Sequence, residues 1–499
     1  MSVTTLPEAL SSPARDFASR QQQLLIGGEH HPAADGGTFE TLDPATGQAI
    51  TSVAQAGAAD VDRAVNAARA AVEEGDWATM AAARRARLIN QLADLVEEHG
   101  DELAELEALD NGKPLKLAKV VDVAQTVAHF RHFAGWPERI HGDVLPVHQD
   151  GMLCYTRKEP VGVCGQIIPW NFPMMMASWK LAPALAAGCT AVLKPAEQTP
   201  LTALRLGELA LEAGIPQGVV NVVTGDGETG AALVDHHGVD KLAFTGSTAV
   251  GREIGAKAGR ARKRVTLELG GKSPNIILPD ADLDAAVKGS FLAIYFNTGQ
   301  ACNAGSRLFV QREQFDDVVA ALADRAGKMR LGAGLDPATQ LGPVVSAEQR
   351  QRVLSYIDAG REQGAELVAG GAASRAGDGG GYFVEPTLFT VTDDSLKIAR
   401  EEIFGPVLVA VPYESLEEVA ERANDTEYGL AAGVWTKSLS SAHRLASLLK
   451  AGSVYINCWG EVDAGAPFGG YKASGVGREH GREGLDAYVE TKTVWAKID

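Results

Sequence analysis

Val161-Gly162-Val163-Cys164-Gly165-Gln166-Ile167-Ile168 is an apolar run of strand length, and it opens a regular alternation. Met175 to Ala187 reads as a helix, Thr190-Ala191-Val192-Leu193 as a strand and Leu201 to Ala213 as a helix. Val219 to Val223 and Thr229 to His236 repeat the pair, as do Lys241 to Phe244 and Val250 to Ala258. Arg264-Val265-Thr266-Leu267-Glu268-Leu269 closes the series as a fifth strand. Strands apolar on both faces and joined by helices predict a parallel sheet buried on both sides. Each crossover is expected to be right-handed. The fold expected is α/β and doubly wound, with ligands at the carboxyl ends of the strands.

Gly-rich turns lie at those ends. Gly225-Asp226-Gly227-Glu228-Thr229-Gly230 matches the G-x-G-x-x-G dinucleotide pattern letter for letter. It follows the third strand rather than the first, and the acidic residue expected about 20 positions on is missing from the next strand end, Phe244-Thr245-Gly246-Ser247. That second turn opens a helix, so its backbone N–H groups and the Ser247 hydroxyl suit a phosphate; an ordinary turn is the plain alternative for each. Gly271-Lys272-Ser273 lacks the upstream glycine of a phosphate loop, since Thr266 stands there, and is set aside. Lys194 and Glu197, three apart after the second strand, suit ribose hydroxyls or form a surface ion pair.

Outside this region the chain reads as more than one domain, because 499 residues exceed what one core holds. Leu24 to Gly28 and Phe39 to Leu42 look like strands, followed by helices through Val61, Val65 and Ala68, and through Leu88, Leu92 and Leu95. Met1 to about Gln23 is polar, lacks the apolar segment of a secretory signal, and reads as a loose tail. Met174 to Leu193 is interrupted by Lys180, Pro183 and Gly188, which argues against a membrane span. The net charge of −18 argues against nucleic-acid or anionic-membrane partners, which need concentrated Lys and Arg. Five cysteines without C-x-x-C spacing imply neither a disulfide framework nor a zinc knuckle and fit a reducing, cytoplasmic setting. No metal site is expected.

One of those cysteines differs from the rest. Cys302 stands in Asn297-Thr298-Gly299-Gln300-Ala301-Cys302-Asn303-Ala304-Gly305, a Gly-rich loop ahead of the strand-like Leu308-Phe309-Val310. Loops held by a rigid scaffold are where nucleophiles are usually placed, whereas packing cysteines sit inside apolar elements.

Seven motifs in order then carry a resemblance: Pro169-Trp170-Asn171-Phe172-Pro173, Lys194 to Pro200, Phe244 to Ser247, Leu267 to Pro274, Gly299 to Cys302, Glu402-Ile403-Phe404-Gly405-Pro406-Val407, and Pro467-Phe468-Gly469-Gly470. Together they closely resemble the NAD(P)-dependent aldehyde dehydrogenases, of the hydrolytic branch, from about Leu24 to the C-terminus. The resemblance implies a Rossmann-like NAD-binding domain (24–142 and 161–271), an α/β catalytic domain (272–475) and a small β oligomerisation element (143–160 and 485–499), with a tail over 1–23. It implies Cys302 as nucleophile, Asn171 and the cysteine's backbone N–H as oxyanion donors, and Glu268 as the base that activates water. Lys180 and Glu479 resemble a proton-relaying pair, or else form a buried structural ion pair.

For the cofactor the resemblance implies Glu402 and Phe404 at the nicotinamide end, Lys194 and Glu197 at the adenosine ribose, and Ser247 at the pyrophosphate, with Ile168, Trp170, Gly225, Gly246 and Leu269 beside them. A carboxylate at Glu197 would repel a 2′-phosphate, so NAD is favoured over NADP. Phe172, Met174, Met175, Trp179, Phe296, Trp459 and Phe468 take the positions of the substrate tunnel. An aromatic, Met-lined tunnel suits neutral aromatic or medium-chain aldehydes, phenylacetaldehyde-like compounds among them. Glu461 and Asp463 near its mouth leave a cationic amino-aldehyde open. A homo-oligomer, dimer or dimer of dimers, is implied by the resemblance through the Asp143 to Pro160 hairpin and the Tyr488 to Ile498 strand; pairing within one chain is the alternative for these segments. The competing readings are a CoA-acylating relative, which usually lacks the Glu268 carboxylate, and an inactive structural protein on the same fold.

Overall fold

The five strands of the alternation form one sheet. In the computed structural model, which describes residues 6–374, 376 and 379–498, they stand in the order Arg264–Glu268, Lys241–Thr245, Val163–Ile167, Thr190–Lys194, Val220–Val222, all parallel. The second and third strands lie on one side of the first, the fourth and fifth on the other. The winding therefore reverses beside Val163–Ile167, which opens a crevice at the carboxyl ends between it and Lys241–Thr245. Every residue of Thr190–Lys194 and Lys241–Thr245 is buried, as expected for a sheet covered on both faces. The helix Pro173–Ala187 is buried along its whole length; proline opens it and Gly188, at φ 91°, ends it in the left-handed region.

Two edges extend this sheet. Leu24–Ile26 pairs antiparallel with the strand at Val222, and Glu29–His31 lies outside it. On the opposite edge Gly475–Val476 returns from far along the chain to pair antiparallel with Leu267 and Glu268. A second sheet holds Glu366–Ala369, Thr387–Thr390, Val407–Tyr413, Arg307–Gln311, Pro274–Ile277, Ala431–Trp435 and Ser453–Ile456 in that order, parallel except for the first pair. The loop carrying Cys302 feeds its central strand, Arg307–Gln311.

The Asp143 to Pro160 segment is a hairpin. Val144–Leu145 pairs with Met152–Pro160, and the C-terminal Val489–Lys497 pairs along the other side of Met152–Pro160 over its full length. Val144 and Trp495 are largely exposed on this three-stranded sheet. The N-terminal segment departs from expectation: beyond Met1 to Thr5, which lie outside the described residues, it is packed rather than loose. Ser12–Ser19 is a helix, and Leu6, Leu10, Ala14, Phe17 and Ala18 are buried. Those positions recur at spacings of three and four, so a polar composition conceals one apolar face. The Ser11 hydroxyl donates to Glu105 at 2.6 Å, and Gln22 pairs with the strand at Ser52. No helix among the described residues is long and apolar enough to cross a membrane.

Candidate active site

Asn171 and Cys302 come from different sheets and are tied together by their loops. Asn171 follows the strand Val163–Ile167, and its side-chain N–H donates to the Gln300 carbonyl at 3.0 Å, two residues before Cys302. The Asn297 amide donates to the Asn171 carbonyl at 3.0 Å and to the Gln300 carbonyl at 3.2 Å. Asn111 holds the same loop from the other side, donating to the Trp170 carbonyl at 2.7 Å. The approach to Cys302 is strained: Asn297, Thr298 and Gly299 have φ of 48°, 57° and 72°. Two non-glycine residues in the left-handed region are costly, and such strain gathers at functional sites. Gly299 has no alternative, since a Cβ there would stand 2.0 Å from the Gly405 carbonyl oxygen.

Glu268 ends its strand beside Thr245. It is buried, and neither carboxyl oxygen has a hydrogen-bond partner among the described residues. Burial, then the nearby Glu479 carboxylate, push its pKa well above the usual carboxylate range. Cys302 is partly exposed; burial of its sulfur, with Glu268 and Glu402 nearby, pushes the thiol up to about 12. The resting thiol therefore holds its proton, and the raised Glu268 carboxyl group lines the same cavity. Behind them lies the pair of Lys180 and Glu479, 2.7 Å apart. Lys180, wholly buried, also donates to the Thr245 hydroxyl at 2.6 Å. Glu479 reaches it because Gly475–Val476 rejoins the first sheet three residues earlier.

Asn171, Glu268 and Cys302 line one cavity of about 290 Å³ between the two sheets. Trp170, Phe172, Gly246, Ser247 and Leu269 line it from the first sheet, and Glu402 and Phe404 from the loop ahead of Val407–Tyr413. Glu402 accepts the Gly271 backbone N–H at 3.0 Å, and burial lifts its pKa to about 7. Phe404, at φ 61°, holds its ring edge-on to Trp170 with centroids 5.2 Å apart. Ser247 is exposed at the N-terminus of the helix Thr248–Ala261, and its hydroxyl accepts from Val250 N–H at 3.4 Å.

Ile168, Lys194, Glu197 and Gly225 lie outside that lining but near it in the fold. Ile168 N–H bonds the Lys194 carbonyl at 3.1 Å, and Lys194 Nζ stands 3.6 Å from Glu197. Lys194 is buried, while Glu197 is partly exposed. Gly225 is at φ 152°, and a Cβ there would meet the Thr229 hydroxyl at 2.1 Å, so this G-x-G-x-x-G turn needs its first glycine for packing at the start of the helix Gly227–Asp235.

On the other side of Cys302 the aromatic residues form pairs. Phe172 stacks on Phe296 at 6.0 Å, Trp179 meets Phe468 edge-on at 5.3 Å, and Trp459 lies 5.6 Å from Tyr455. Met174 and Met175 are buried in the helix and do not line the cavity; the methionine that does is Met176.

A sequence profile of the aldehyde dehydrogenase family matches residues 31–494. The chain belongs to the aldehyde dehydrogenase family. Oxidation of an aldehyde to a carboxylic acid, the family's general reaction, is the activity of this enzyme. It is 51% identical over 496 residues to human mitochondrial aldehyde dehydrogenase, covering 98% of this chain and 95% of the human one. The structure of an aldehyde dehydrogenase from Bacillus cereus in complex with NAD+ matches with a TM-score of 0.96 at 53% identity, over 98% of this chain and 99% of that one. An indole-3-acetaldehyde dehydrogenase in complex with NAD+ matches at 0.93 and 45% identity, over 95% and 96% of the two chains.

This aldehyde dehydrogenase has cavity residues that its sequence did not announce. Gln349, Arg352 and Met176 line the cavity, beside Thr245 of the Phe244 to Ser247 motif. Gln349 and Arg352, on the helix Ala347–Glu362, donate to the Phe404 and Glu402 carbonyls at 2.7 Å each, and so brace the strained loop. No motif marks them: they are polar residues on an ordinary helix, and only the packing of that helix on the loop gives them a role. No group of His, Cys, Asp and Glu suited to a metal is present among the described residues.

Proposed function

We propose that this aldehyde dehydrogenase oxidises neutral aromatic and medium-chain aldehydes with NAD, through a thiohemiacetal and then a thioester on Cys302. The observation that carries the reading is the convergence of a thiol, an unpartnered buried carboxyl group and an amide donor on one cavity. The partly exposed Cys302 sulfur gives up its proton to solvent and attacks the aldehyde carbon. Asn171 spends one of its two amide hydrogens on Gln300 and has the other for the oxyanion that forms; the Cys302 backbone N–H is the second donor. A neutral amide stabilises that charge without giving up a proton. NAD, held by Glu402, Ser247, Lys194 and Glu197, would supply the acceptor for the hydride that leaves the thiohemiacetal carbon. Glu268 then removes a proton from water as it attacks the thioester. Its isolation from hydrogen-bond donors keeps it basic. Lys180 and Glu479 pass that proton onward from a position behind Glu268.

The chain's own groups fit the cofactor. The crevice lies at the reversal of strand winding, with an exposed hydroxyl and a helix N-terminus at Ser247 for the pyrophosphate. Glu402 faces the same cavity for the nicotinamide ribose, and Lys194 with Glu197 serves the adenosine ribose. The Glu197 carboxylate favours NAD over NADP, and the NAD+ complexes of the Bacillus cereus enzyme and of indole-3-acetaldehyde dehydrogenase support NAD as a cofactor. The aromatic pairs beside Cys302 support an aromatic substrate, as does that second enzyme's name.

Residues 24–142 and 161–271 act as the NAD-binding domain, 272–475 as the catalytic domain, and 143–160 with 485–499 as the assembly element. The exposed apolar residues Val144 and Trp495 on a three-stranded sheet support the last role, in a dimer or dimer of dimers. Five free cysteines support a reducing, cytoplasmic setting. The test is NADH formation from a panel of aldehydes, with and without CoA, for wild type and Cys302→Ala. The expected result is CoA-independent turnover by wild type and none by the variant, with NAD binding kept. Normal turnover by Cys302→Ala removes the nucleophile.

A further inference from the structure

Beyond the aromatic pairs, the helices Ala124–Ala134 and Pro173–Ala187 enclose polar atoms that nothing satisfies. His129 is wholly buried and Trp179 nearly so, their rings stacked with centroids 5.7 Å apart. The Nδ1 of His129 lies 2.6 Å from the Gln125 carbonyl. A carbonyl only accepts, so Nδ1 carries the proton and Nε2 is left as a bare acceptor. Among the described residues that Nε2 has no partner, and neither have the Trp179 indole N–H and the two ring nitrogens of His480. His480 closes the group: its ring is 4.0 Å from that of Trp179 and 4.5 Å from that of His129. Buried polar atoms are nearly always paired, and leaving them unpaired costs stability. The His129 acceptor and the Trp179 donor, on stacked rings, suit a group that both donates and accepts.

The location ties this pair to the reaction centre. A Cβ on Gly469 would stand 2.8 Å from Glu268 Oε1, and the preceding residue, Phe468, meets Trp179 edge-on. Trp179 is thus linked through Phe468 to the backbone that packs against Glu268. Burial draws the His129 pKa down to about 4, so its ring is neutral at physiological pH and offers a hydrogen bond rather than a charge.

We propose that His129 and Trp179 form a polar subsite for a hydroxyl group on the ring of an aromatic aldehyde, the hydroxyl donating to His129 Nε2 and accepting from Trp179 Nε1–H. The proposal rests on the reading that Cys302 oxidises aromatic aldehydes, and it makes this chain selective for the hydroxylated members of that class. The test compares kcat/KM for 4-hydroxyphenylacetaldehyde and phenylacetaldehyde in wild type, His129→Phe and His129→Gln. The expected wild-type ratio is about tenfold in favour of the hydroxylated substrate, the net effect of the hydroxyl's two hydrogen bonds after its desolvation. It should fall to near one in His129→Phe, which keeps the stacked ring without its nitrogens, and recover in part in His129→Gln, which restores an acceptor. A wild-type ratio near one, or a ratio that survives in His129→Phe, overturns the proposal and leaves the atoms to an internal water. Should His129→Phe fail to fold, the wild-type ratio and His129→Gln decide. If wild type oxidises aliphatic aldehydes but neither aromatic one, the subsite falls together with the aromatic reading.

Discussion

Replacing Asn171 by alanine separates the chemical step from the fold. Asn171 is buried, and its amide makes one hydrogen bond within the protein, to the Gln300 carbonyl at 3.0 Å. That carbonyl keeps a second donor, the Asn297 amide at 3.2 Å, and Asn297 and Asn111 still hold the loop through the Asn171 and Trp170 carbonyls. The loss of stability is therefore about 1 kcal/mol, the net worth of one hydrogen bond. The loss to catalysis is larger, because the amide's other hydrogen serves the oxyanion: removing one such donor costs ~3 kcal/mol, about a hundredfold in rate. Stopped-flow measurement of the first turnover of NADH, at saturating NAD, reads this step directly. The expected result is a first turnover slowed about a hundredfold, with NAD affinity unchanged and a small fall in unfolding midpoint. A first turnover within threefold of wild type would refute the oxyanion role, and a large fall in stability would show that the residue chiefly holds the two loops together.

Glu268 acts as a base only when deprotonated, and its pKa is raised by burial and by Glu479. Thioester hydrolysis should therefore rise with pH through that raised value and fall as pH drops below it; a pH profile of steady-state turnover that stays flat down to about pH 5, as for an ordinary Glu, contradicts this. Lys113→Met strands the buried Asp122 carboxylate, 2.6 Å from the ammonium group, while Glu107, at 3.4 Å, keeps the Thr202 hydroxyl and a pKa raised by burial to about 8; the variant should lower stability by about 3–5 kcal/mol in urea unfolding. Adding Asp122→Asn should recover part of that loss, and no recovery would place the cost elsewhere, for example in the cation held 4.4 Å from the Phe172 ring. Glu197→Gln should raise the affinity for NADP relative to NAD severalfold, read by titration of both cofactors; an unchanged ratio removes Glu197 from cofactor choice.

What the sequence made legible follows from local rules. Thr190–Lys194 and Lys241–Thr245 are apolar on both faces because both faces are covered, and that pattern alone predicts a parallel sheet. Cys302 stood out because small polar residues around a thiol contradict a packing role. The parts that stayed hidden depend on distant contacts. Nothing local predicts that Gly475–Val476 rejoins the first sheet and brings Glu479 to Lys180. Phe404 at φ 61° and His480 at φ 63° show no signal, since the strain is held by surrounding structure rather than by residue type. The N-terminal residues misled by composition: Leu6, Leu10, Ala14 and Phe17 were visible, but their spacing carried the information and their polar neighbours masked it.

The covalent route can be seen directly by mass. Glu268→Gln, mixed with phenylacetaldehyde and NAD, should release one equivalent of NADH and then stop. The intact protein should then be heavier by one acyl group, with the added mass on the peptide that contains Cys302. Sustained turnover by this variant, or a burst that leaves no acyl group on Cys302, would contradict the account.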